Sequence, residues 1–576
     1  MVRETSCSAE MEFVDVSAIA DAADSSSAFT YEDLEKLKSV EKEADYGTGE
    51  LNQFVLDGSK EIVPSSGPDV AYWSEKSGED CLFTNEQSIT RTFSQPHTSS
   101  GITLVFADDY PISCRITWYG ENGIKMDSAS YVPNTSEYFC RKLVANYYGI
   151  KVEFLKTRLP FQYVKLQYIM HGQHLEWKSD YISSAKTTEE VDLTMATLSI
   201  NKCSISILDT ADDFNLEDDN GNWNAIQKTQ PVSLYETVDG VRRNRGIYYI
   251  DSFSTAEKII TFDLIDGIGL MDNYTFDKGE IYTNQNAGEL YDAIFDTCGI
   301  ASYEIAENIR QIAVNGWLEV QTCREALQML AFACGAVVDQ NENGAVIVRE
   351  ATREVVNTVP TSRKFMDSST LELSEYVSGV SIEYNTYSIA ADESEVFKGE
   401  LTPGTSKILF SNPVSPATLS ISPSGEILSA NTNYAIVKVE SAAEYVISGK
   451  TYEEISNTLY LSVDEINANE KENVKGFGTL TLAPVGGYEQ VAKKLLDYFS
   501  LRLVIKVKFL MDDEYVANWA RIQRGKSKEF YAFFESLETD LVGGFISTAS
   551  CRGYSKSVIE SYYAGNELYL GQEGII

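Results

Sequence analysis

The residues from 487 onward carry the pattern that most constrains the fold. A predicted helix, Gly487–Ser500, leads into Leu503–Phe509 (LVIKVKF), which alternates apolar and basic side chains at its end. Three further strand-like segments follow: Ala517–Arg521, Phe530–Leu537 (FYAFFESL) and Leu541–Tyr554 (LVGGFISTASCRGY). Alternation with a period of two buries one face of a strand and presents the other. This part of the chain therefore predicts the wall of a sheet or barrel.

Length and charge narrow the class of protein. A chain of 576 residues predicts three to five domains, and an apolar share of 43% permits large cores. The net charge is −39, from 47 basic and 86 acidic residues. It argues against a general nucleic-acid binder, because phosphate binding needs a surplus of Lys and Arg. An acidic wall would suit a conduit for DNA, because it repels the polymer, and solubility explains the charge equally well.

The cysteines and the apolar runs indicate where the protein is made. Nine cysteines are scattered along the chain without a CxxC pair. This odd number and irregular spacing are typical of neither a disulfide framework nor a zinc site. We expect reduced thiols in a cytoplasm. The N-terminal segment has no apolar core, so we expect no signal peptide. No run of 18 apolar residues exists, so we expect no membrane span.

Short strands separated by turn signals dominate residues 60–172. The predicted strands are Ser88–Ser94, Gly101–Phe106 (after a Pro-His-Thr-Ser-Ser turn), Cys114–Tyr119, Ile150–Phe154 and Tyr163–Ile169. Their even spacing is typical of a β-sandwich. Their order resembles discoidin-like, galactose-binding-type jelly rolls.

A second set of strands follows in residues 173–280. Thr194–Ile207 is predicted as one long alternating strand, and Pro231–Thr237, Gly246–Phe253 and Lys258–Ile265 as a meander. Four or five strands in about a hundred residues fit a small barrel. Polar residues alternate along the first of these strands, at Thr197, Ser199 and Asn201.

Residues 281–350 change to a helical period. Asn286 is placed to cap a helix over Ala287–Cys298, which ends at Gly299. The sequence Thr322–Glu325 forms a capping box that opens a helix over Cys323–Cys334. Two strands after that helix complete a compact α+β module.

The whole chain is therefore predicted to be mainly β and multidomain. The predicted units are an acidic N-terminal arm at 1–50 with one short helix at Tyr31–Lys42, a discoidin-like β-sandwich at 51–172, a first tube-like β-barrel at 173–280, an α+β module at 281–350, a β-rich domain at 351–480, and a helix with a second tube-like β-barrel and C-terminal tail at 481–576.

No pattern in the sequence predicts a catalytic or cofactor site. His171 and His174 lack a third metal ligand, and Cys334 has no neighbouring His, which favours core packing. The pair Gly267 and Gly269 lacks the third glycine of a dinucleotide site. The acidic run Asp209–Asp219 lacks EF-hand spacing. We expect no enzyme, no cofactor and no metal.

Aromatic and histidine side chains of the sandwich are candidates for glycan contact, because aromatic faces stack on sugar rings. They are Trp73, His97, Trp118 and Tyr119. For Trp118, which lies on an alternating strand, core packing is the alternative.

Several segments, taken in order, resemble hub or tail-tip proteins of Firmicute-type tailed phages and phage-tail-like particles. They are Glu50–Gly58, Pro160–Tyr168, Pro231–Gly240, Gly246–Phe253, Ala287–Gly299, Thr322–Asp339 and Glu538–Gly553. In such hubs two small barrels of one chain mimic two tail-tube subunits, and three chains complete a pseudo-hexameric ring. The resemblance therefore implies that one face of each barrel strand lines a lumen or an interface, with Thr197, Ser199 and Asn201 as candidate lumen or interface residues. Longer relatives carry a C-terminal peptidase or lysozyme domain that the sequence up to Ile576 lacks, so we expect no cell-wall-degrading role.

The resemblance implies a virion protein: the homotrimeric hub at the tail tip or baseplate centre. Its implied partners are a distal tail or tube protein, the tape-measure protein, other baseplate or receptor-binding proteins and a host-surface glycan, while DNA passes through without specific binding. The alternative is a secreted or virion-borne glycan-binding or glycan-cleaving protein.

Overall fold

The computed structural model describes residues 3–38, 70–107, 109–210, 228–365, 369–466, 469–524 and 528–557, with residues 214, 216 and 226. The chain is mainly β and multidomain, as predicted. Among these residues, every helix is too short or too polar to cross a membrane. The segment Glu50–Gly58 of the family resemblance lies outside the described residues.

An eight-stranded β domain is inserted between two paired strands of a larger sheet. In chain order the elements are β1 (Thr5–Val14), α1 (Val16–Asp21), β2 (Ala23–Ser26), β3 (Tyr31–Glu32), β4 (Tyr72–Trp73), β5 (Leu82–Phe106), β6 (Pro111–Tyr119), β7 (Lys125–Tyr131), β8 (Glu137–Thr157), β9 (Lys165–Met170) and β10 (Gly172–Lys178). Strands β1 and β10 pair antiparallel from Val14 opposite Gly172 onward. Residues 15–171, here called the inserted domain, thus leave and re-enter the larger sheet at one point.

The N-terminal residues are folded, in contrast to the predicted acidic arm. Strand β1 belongs to the larger sheet, while β2 pairs with β5 inside the inserted domain. The predicted helix Tyr31–Lys42 contains only a 3₁₀ turn at Leu34–Lys38, and residues 39–50 lie outside the described part. The predicted turn at residues 96–100 lies within β5, because irregular pairing with β8 lets one long strand continue through it.

The next part contains five strands and the α+β module. In chain order the elements are β11 (Ile182–Glu190), β12 (Lys202–Leu208), β13 (Pro231–Val238), β14 (Val241–Ala256), β15 (Ile259–Ile265), α2 (Gly267–Leu270), β16 (Thr275–Phe276), β17 (Ile281–Asn286), α3 (Ala287–Cys298), β18 (Tyr303–Ile305), α4 (Glu307–Arg310), β19 (Ala313–Trp317), β20 (Gln321–Thr322), α5 (Cys323–Cys334), β21 (Val337–Gln340) and β22 (Val346–Arg349). The predicted helix caps are confirmed: Asn286 caps α3, the capping box opens α5, and Gly299 and Gly335 end the helices with positive φ.

The remaining elements complete the larger sheet and add a small domain. They are β23 (Val355–Val359), β24 (Thr370–Leu373), β25 (Gly379–Ile389), β26 (Ser394–Leu401), β27 (Gly404–Leu409), β28 (Ser420–Ser422), β29 (Glu426–Ala430), β30 (Tyr434–Val439), β31 (Ala443–Gly449), β32 (Tyr452–Ser462), β33 (Val474–Leu480), β34 (Leu482–Pro484), α6 (Glu489–Ser500), β35 (Leu503–Leu510), β36 (Trp519–Gln523), β37 (Lys528–Asp540) and β38 (Ile546–Ser557). Strands β26–β31 form two three-stranded sheets around a separate small core.

The larger sheet has thirteen strands and organises the molecule. Its main path runs β10-β1-β13-β14-β15-β12-β11-β37-β38-β35-β24, and β36 joins β37 to β23. One apolar core lies along it, from Ile205 and Phe262 to Ile505 and Phe534. The two regions predicted as tube-like barrels therefore share one sheet, here called the wall.

Candidate assembly interface

The wall contains an internal repeat of strand topology. The strands β1-β13-β14-β15-β12-β11, here called the N-terminal unit, lie side by side in that order. The strands β23-β36-β37-β38-β35-β24, here called the C-terminal unit, follow the same order with the same chain connectivity. All pairings within the two units are antiparallel except one. The pair β23–β36 is parallel, whereas its counterpart β1–β13 is antiparallel. The chain thus carries two copies of one structural plan.

A β-bulge occurs at the corresponding position of both units. In the hairpin β14–β15 the register shifts just before Ser252, and in β37–β38 it shifts just before Ser536. Strand β14 ends at Ala256 and strand β37 ends at Asp540, so each serine lies four residues before the end of its strand. Because a bulge changes the bend and twist of a strand, its recurrence at one position indicates that the two hairpins bend at the same place.

The two units meet edge to edge within the chain. Strand β11 pairs antiparallel with the C-terminal half of β37, from Lys186 opposite Asp540 to Glu190 opposite Ser536. The inward side chains of this joint are buried: Thr187, Glu189, Leu537 and Thr539. On the outer side, Lys186 forms an ion pair with Glu538 at 2.6 Å. The pairing turns two units into a continuous wall.

A buried ion pair lies beside this joint. The guanidinium of Arg245, on β14, donates from Nη2 to both carboxylate oxygens of Glu189, at 3.1 and 3.2 Å. The same guanidinium lies 5.0 Å from the ring centroid of Tyr515, in the C-terminal unit. One cation therefore contacts both units. No motif predicted this pair. In the sequence, Arg245 closely follows Arg242 and Arg243, and nothing distinguishes it from them as the buried residue.

Several carboxyl groups around this pair have raised pKa values. Burial raises the pKa of Glu189 and of Glu236, although Arg245 opposes the shift in both. Burial also raises the pKa of Asp266 and of Asp339 to about 7. The wall is therefore joined to the α+β module through groups that titrate near neutral pH.

The three predicted lumen or interface residues do not lie on a strand. The segment Thr194–Ile207 was predicted as one strand, but β12 begins at Lys202. Thr197 is exposed and donates from its N–H and hydroxyl to Asp192, at 3.0 and 2.9 Å, so an Asp-stabilised turn replaces the alternation. Ser199 is half-buried in the same loop.

Asn201 is buried and links the wall to the module. Its backbone N–H donates to Asp266 at 3.0 Å, and its side-chain amide donates to Asp339 at 3.3 Å. Its side-chain oxygen accepts the N–H of Glu190 at 2.9 Å. It therefore fixes the end of β11 against the module.

The candidate glycan residues are mostly enclosed in the inserted domain. Trp118 is fully buried, and Trp73 is 5% exposed, with the Nζ of Lys165 4.5 Å from its ring centroid. The Trp118 ring belongs to the apolar core of the inserted domain, which is the alternative considered for it, whereas the Trp73 ring packs against Tyr163 and Lys165. Tyr119 is half-buried at the end of β6.

His97 is buried between two carboxylates and is not open to a ligand. Its Nδ1 lies 2.9 Å from Asp15 and its Nε2 lies 3.2 Å from Asp21. These contacts hold α1 against β5. Hydrogen bonds led by that from the Ser94 hydroxyl lower the pKa of Asp21 to about 2.

The described residues contain no group of three or more His, Cys, Asp or Glu side chains placed to hold a metal ion. His171 is buried, with its Nδ1 2.9 Å from the hydroxyl of Tyr147, and burial lowers its pKa well below the usual value. The side chain of His174 lies outside the described part. Cys334 is buried on α5, in agreement with the predicted core role.

Neither a protein-family model nor a curated protein matches this sequence. Similar solved structures include a tail protein of Neisseria meningitidis, with 10% identity, a TM-score of 0.39, and coverage of 66% of this chain and 93% of that one. The prophage tail protein gp18 of Listeria monocytogenes has 9% identity and a TM-score of 0.37, and the alignment covers 65% of this chain and 91% of that one.

A further similarity involves a shorter part of the chain. The chitosan-binding module 1 of a Paenibacillus chitosanase/glucanase has 11% identity and a TM-score of 0.17. The alignment covers 26% of this chain and 93% of that module.

Proposed function

We propose that this protein is a structural component of a phage tail, namely the homotrimeric hub at the tail tip or baseplate centre. The observation that carries the proposal is the internal repeat of the wall, in which two like units stand side by side. Three chains in a closed ring would present six such units around one axis. A ring of that kind can continue a tube that has sixfold symmetry.

The inserted domain fits an outward role in this proposal. It is connected to the wall only through β1 and β10, so it can project without interrupting the ring. Its proposed contacts are other baseplate or receptor-binding proteins, or a host glycan. The faces of the ring would contact the distal tail or tube protein and the tape-measure protein.

The negative charge supports a passage for DNA through the ring. With 86 acidic and 47 basic residues, the chain as a whole repels phosphates more than it attracts them. We expect no DNA retention by the purified chain at physiological salt. A channel lined mainly by Lys and Arg in a map of the particle would contradict the conduit.

Native mass spectrometry of the full chain, together with imaging of particles, tests the proposal. We expect three copies around a channel. A monomer or dimer inside assembled particles would overturn it. Purified protein should also leave peptidoglycan and polysaccharide intact, and turnover that is lost on substituting one acidic pair would favour an enzyme instead.

A further inference from the structure

Within the described part of the chain, two strand edges of the wall lack a partner, and they correspond to the strands of its internal joint. Strand β24 ends the main path and, among the described residues, pairs only with β35. The C-terminal half of β14, residues 251–256, pairs with β15 and with no other described strand. Strand β13 does not reach it, because its pairing with β14 stops at Pro231 opposite Tyr249. In the repeat, β24 corresponds to β11 and β14 corresponds to β37, the two strands that form the internal joint.

We propose that β24 of one copy pairs antiparallel with residues 251–256 of a second copy, reproducing between chains the β11–β37 joint within the chain. This inference deepens the proposed homotrimer and rests on it. The partner is a second copy of this chain, because the edge that β24 needs is present on the same chain and no described strand other than β15 pairs with it.

The register of the proposed joint follows from the two units. Lys186 pairs with Ser204 on β12, and Thr370 pairs with Lys506 on β35. Counting back from the hairpin turns, Ser204 and Lys506 occupy the same position, because Leu208 faces Ile259 and Leu510 faces Ile546. Thr370 is thus the counterpart of Lys186.

The same correspondence applies to the other strand of the joint. Asp540 ends β37 as Ala256 ends β14, and the shared bulge keeps the preceding residues in step. The internal pairs then predict the pairs between copies. They are Thr370 with Ala256, Leu371 with Thr255, Glu372 with Ser254, Leu373 with Phe253 and Ser374 with Ser252.

Burial supports this register. Leu371 is 43% exposed and Leu373 is 65% exposed, whereas their counterparts Thr187 and Glu189 are 0% and 6% exposed. All four residues of β24 are exposed. An apolar edge strand left open is a template for pairing with another chain. The proposed joint would bury Leu373 against Phe253, as Glu189 lies opposite Leu537 inside the chain.

A disulfide test can detect the joint directly. Directly opposed residues of paired strands are close enough for a disulfide. We would make Glu372→Cys with Ser254→Cys in the full chain, because both native side chains are exposed. The matched control is Thr188→Cys with Glu538→Cys, the equivalent pair of the internal joint.

Mild oxidation should give different products for the two pairs. The proposed pair should yield reducible covalent dimers and closed trimers, while the control should yield a monomer with an internal link. A native trimer without covalent product, when the control links, would overturn the joint and leave the trimer standing. A monomer in particles would overturn the proposed function itself. Covalent chains longer than three would contradict a closed ring.

A second variant tests the apolar contact. Leu373→Asp should weaken self-association by about tenfold or more, because a charge would enter the buried side of the joint. Ile389→Asp is the control, since Ile389 is 54% exposed on β25, away from both edges. Both variants should melt like the parent monomer. Unchanged trimer formation by Leu373→Asp would overturn the proposed register.

Discussion

At the scale of single residues, the ion pair between Arg245 and Glu189 shows how a buried charge is tolerated beside the internal joint. Both side chains are nearly inaccessible, at 1% and 8% of their side-chain surface. Charges removed from water are costly unless each keeps a partner. The two carboxylate contacts and the Tyr515 ring supply that partner, so the pair also fixes β14 relative to β11.

Arg245→Ala should destabilise the wall by about 3 kcal/mol or more, because it leaves Glu189 buried without its cation. Arg243→Ala is the matched control on the same strand. It removes an exposed pair with Asp512 and should cost less than about 1 kcal/mol. Chemical denaturation of both variants provides the comparison. Equal losses would mean that the buried pair contributes no more than a surface contact.

The carboxyl groups near Asn201 predict how stability depends on pH. The pKa of Asp266 and of Asp339 is raised from 3.8 to about 7 in the folded chain. Between about pH 4 and pH 7, these two carboxyl groups therefore keep their protons in the folded state and lose them in the unfolded state. The contribution of these two carboxyl groups to stability should be greatest below about pH 4 and should be lost as pH rises through 7.

Asp339→Asn removes one of these titrations and keeps an oxygen that can accept the hydrogen bond from Asn201. The variant should gain about 1–3 kcal/mol at pH 8 relative to the parent, with a smaller gain at pH 5. Thermal melts across pH 5–8 measure this difference. A gain that is independent of pH would show that the carboxyl does not titrate as expected.

At the scale of elements, the hairpin of β37 and β38 depends on a close approach of two backbones. A Cβ added at Gly553 would lie 1.8 Å from the carbonyl oxygen of Tyr531 and 2.6 Å from the Cα of Ala532. The strands must separate to admit even one methyl group. Gly553 therefore allows the regular spacing of the C-terminal unit.

Gly553→Ala should destabilise the C-terminal unit by about 2 kcal/mol or more, because backbone atoms cannot move aside as a side chain can. Gly476→Ala is the control, since nothing lies within 4 Å of the added Cβ. Thermal unfolding of the two variants distinguishes them. A neutral Gly553→Ala would mean that β37 and β38 are less closely apposed than described.

At the scale of the whole molecule, the inserted domain and the wall form separate cores. The domain encloses its own apolar cluster, and its chain ends leave the wall at Val14 and Gly172, which are directly opposite each other. A short turn can connect such neighbours. The wall is therefore expected to fold without the domain.

Replacing residues 15–171 with a two-residue turn should leave a folded chain that still forms trimers, measured by circular dichroism and native mass. Deleting only residues 60–172 is the comparison. It leaves β2 and β3 without β5 and β4, so it should aggregate. An unfolded product from the first deletion would show that the inserted domain is needed by the wall.

The sequence by itself determined the local elements. Caps and glycines with positive φ placed α3 and α5, and alternation placed the strands near residues 231–265 and 503–537. These signals are local because a helix cap or a strand face involves residues close in the chain. The same reasoning failed at Thr194–Asn201, where the Asp192 side chain stabilises a turn in place of alternation.

The tertiary structure alone decided which strands are neighbours. Alternation tells which face of a strand is buried, but many partners satisfy the same pattern. The pairings of Val14 with Gly172 and of Lys186 with Asp540 join residues far apart in the chain. They create the insertion point, the internal repeat and the joint with its Arg245–Glu189 pair, because those features depend on contacts between distant segments.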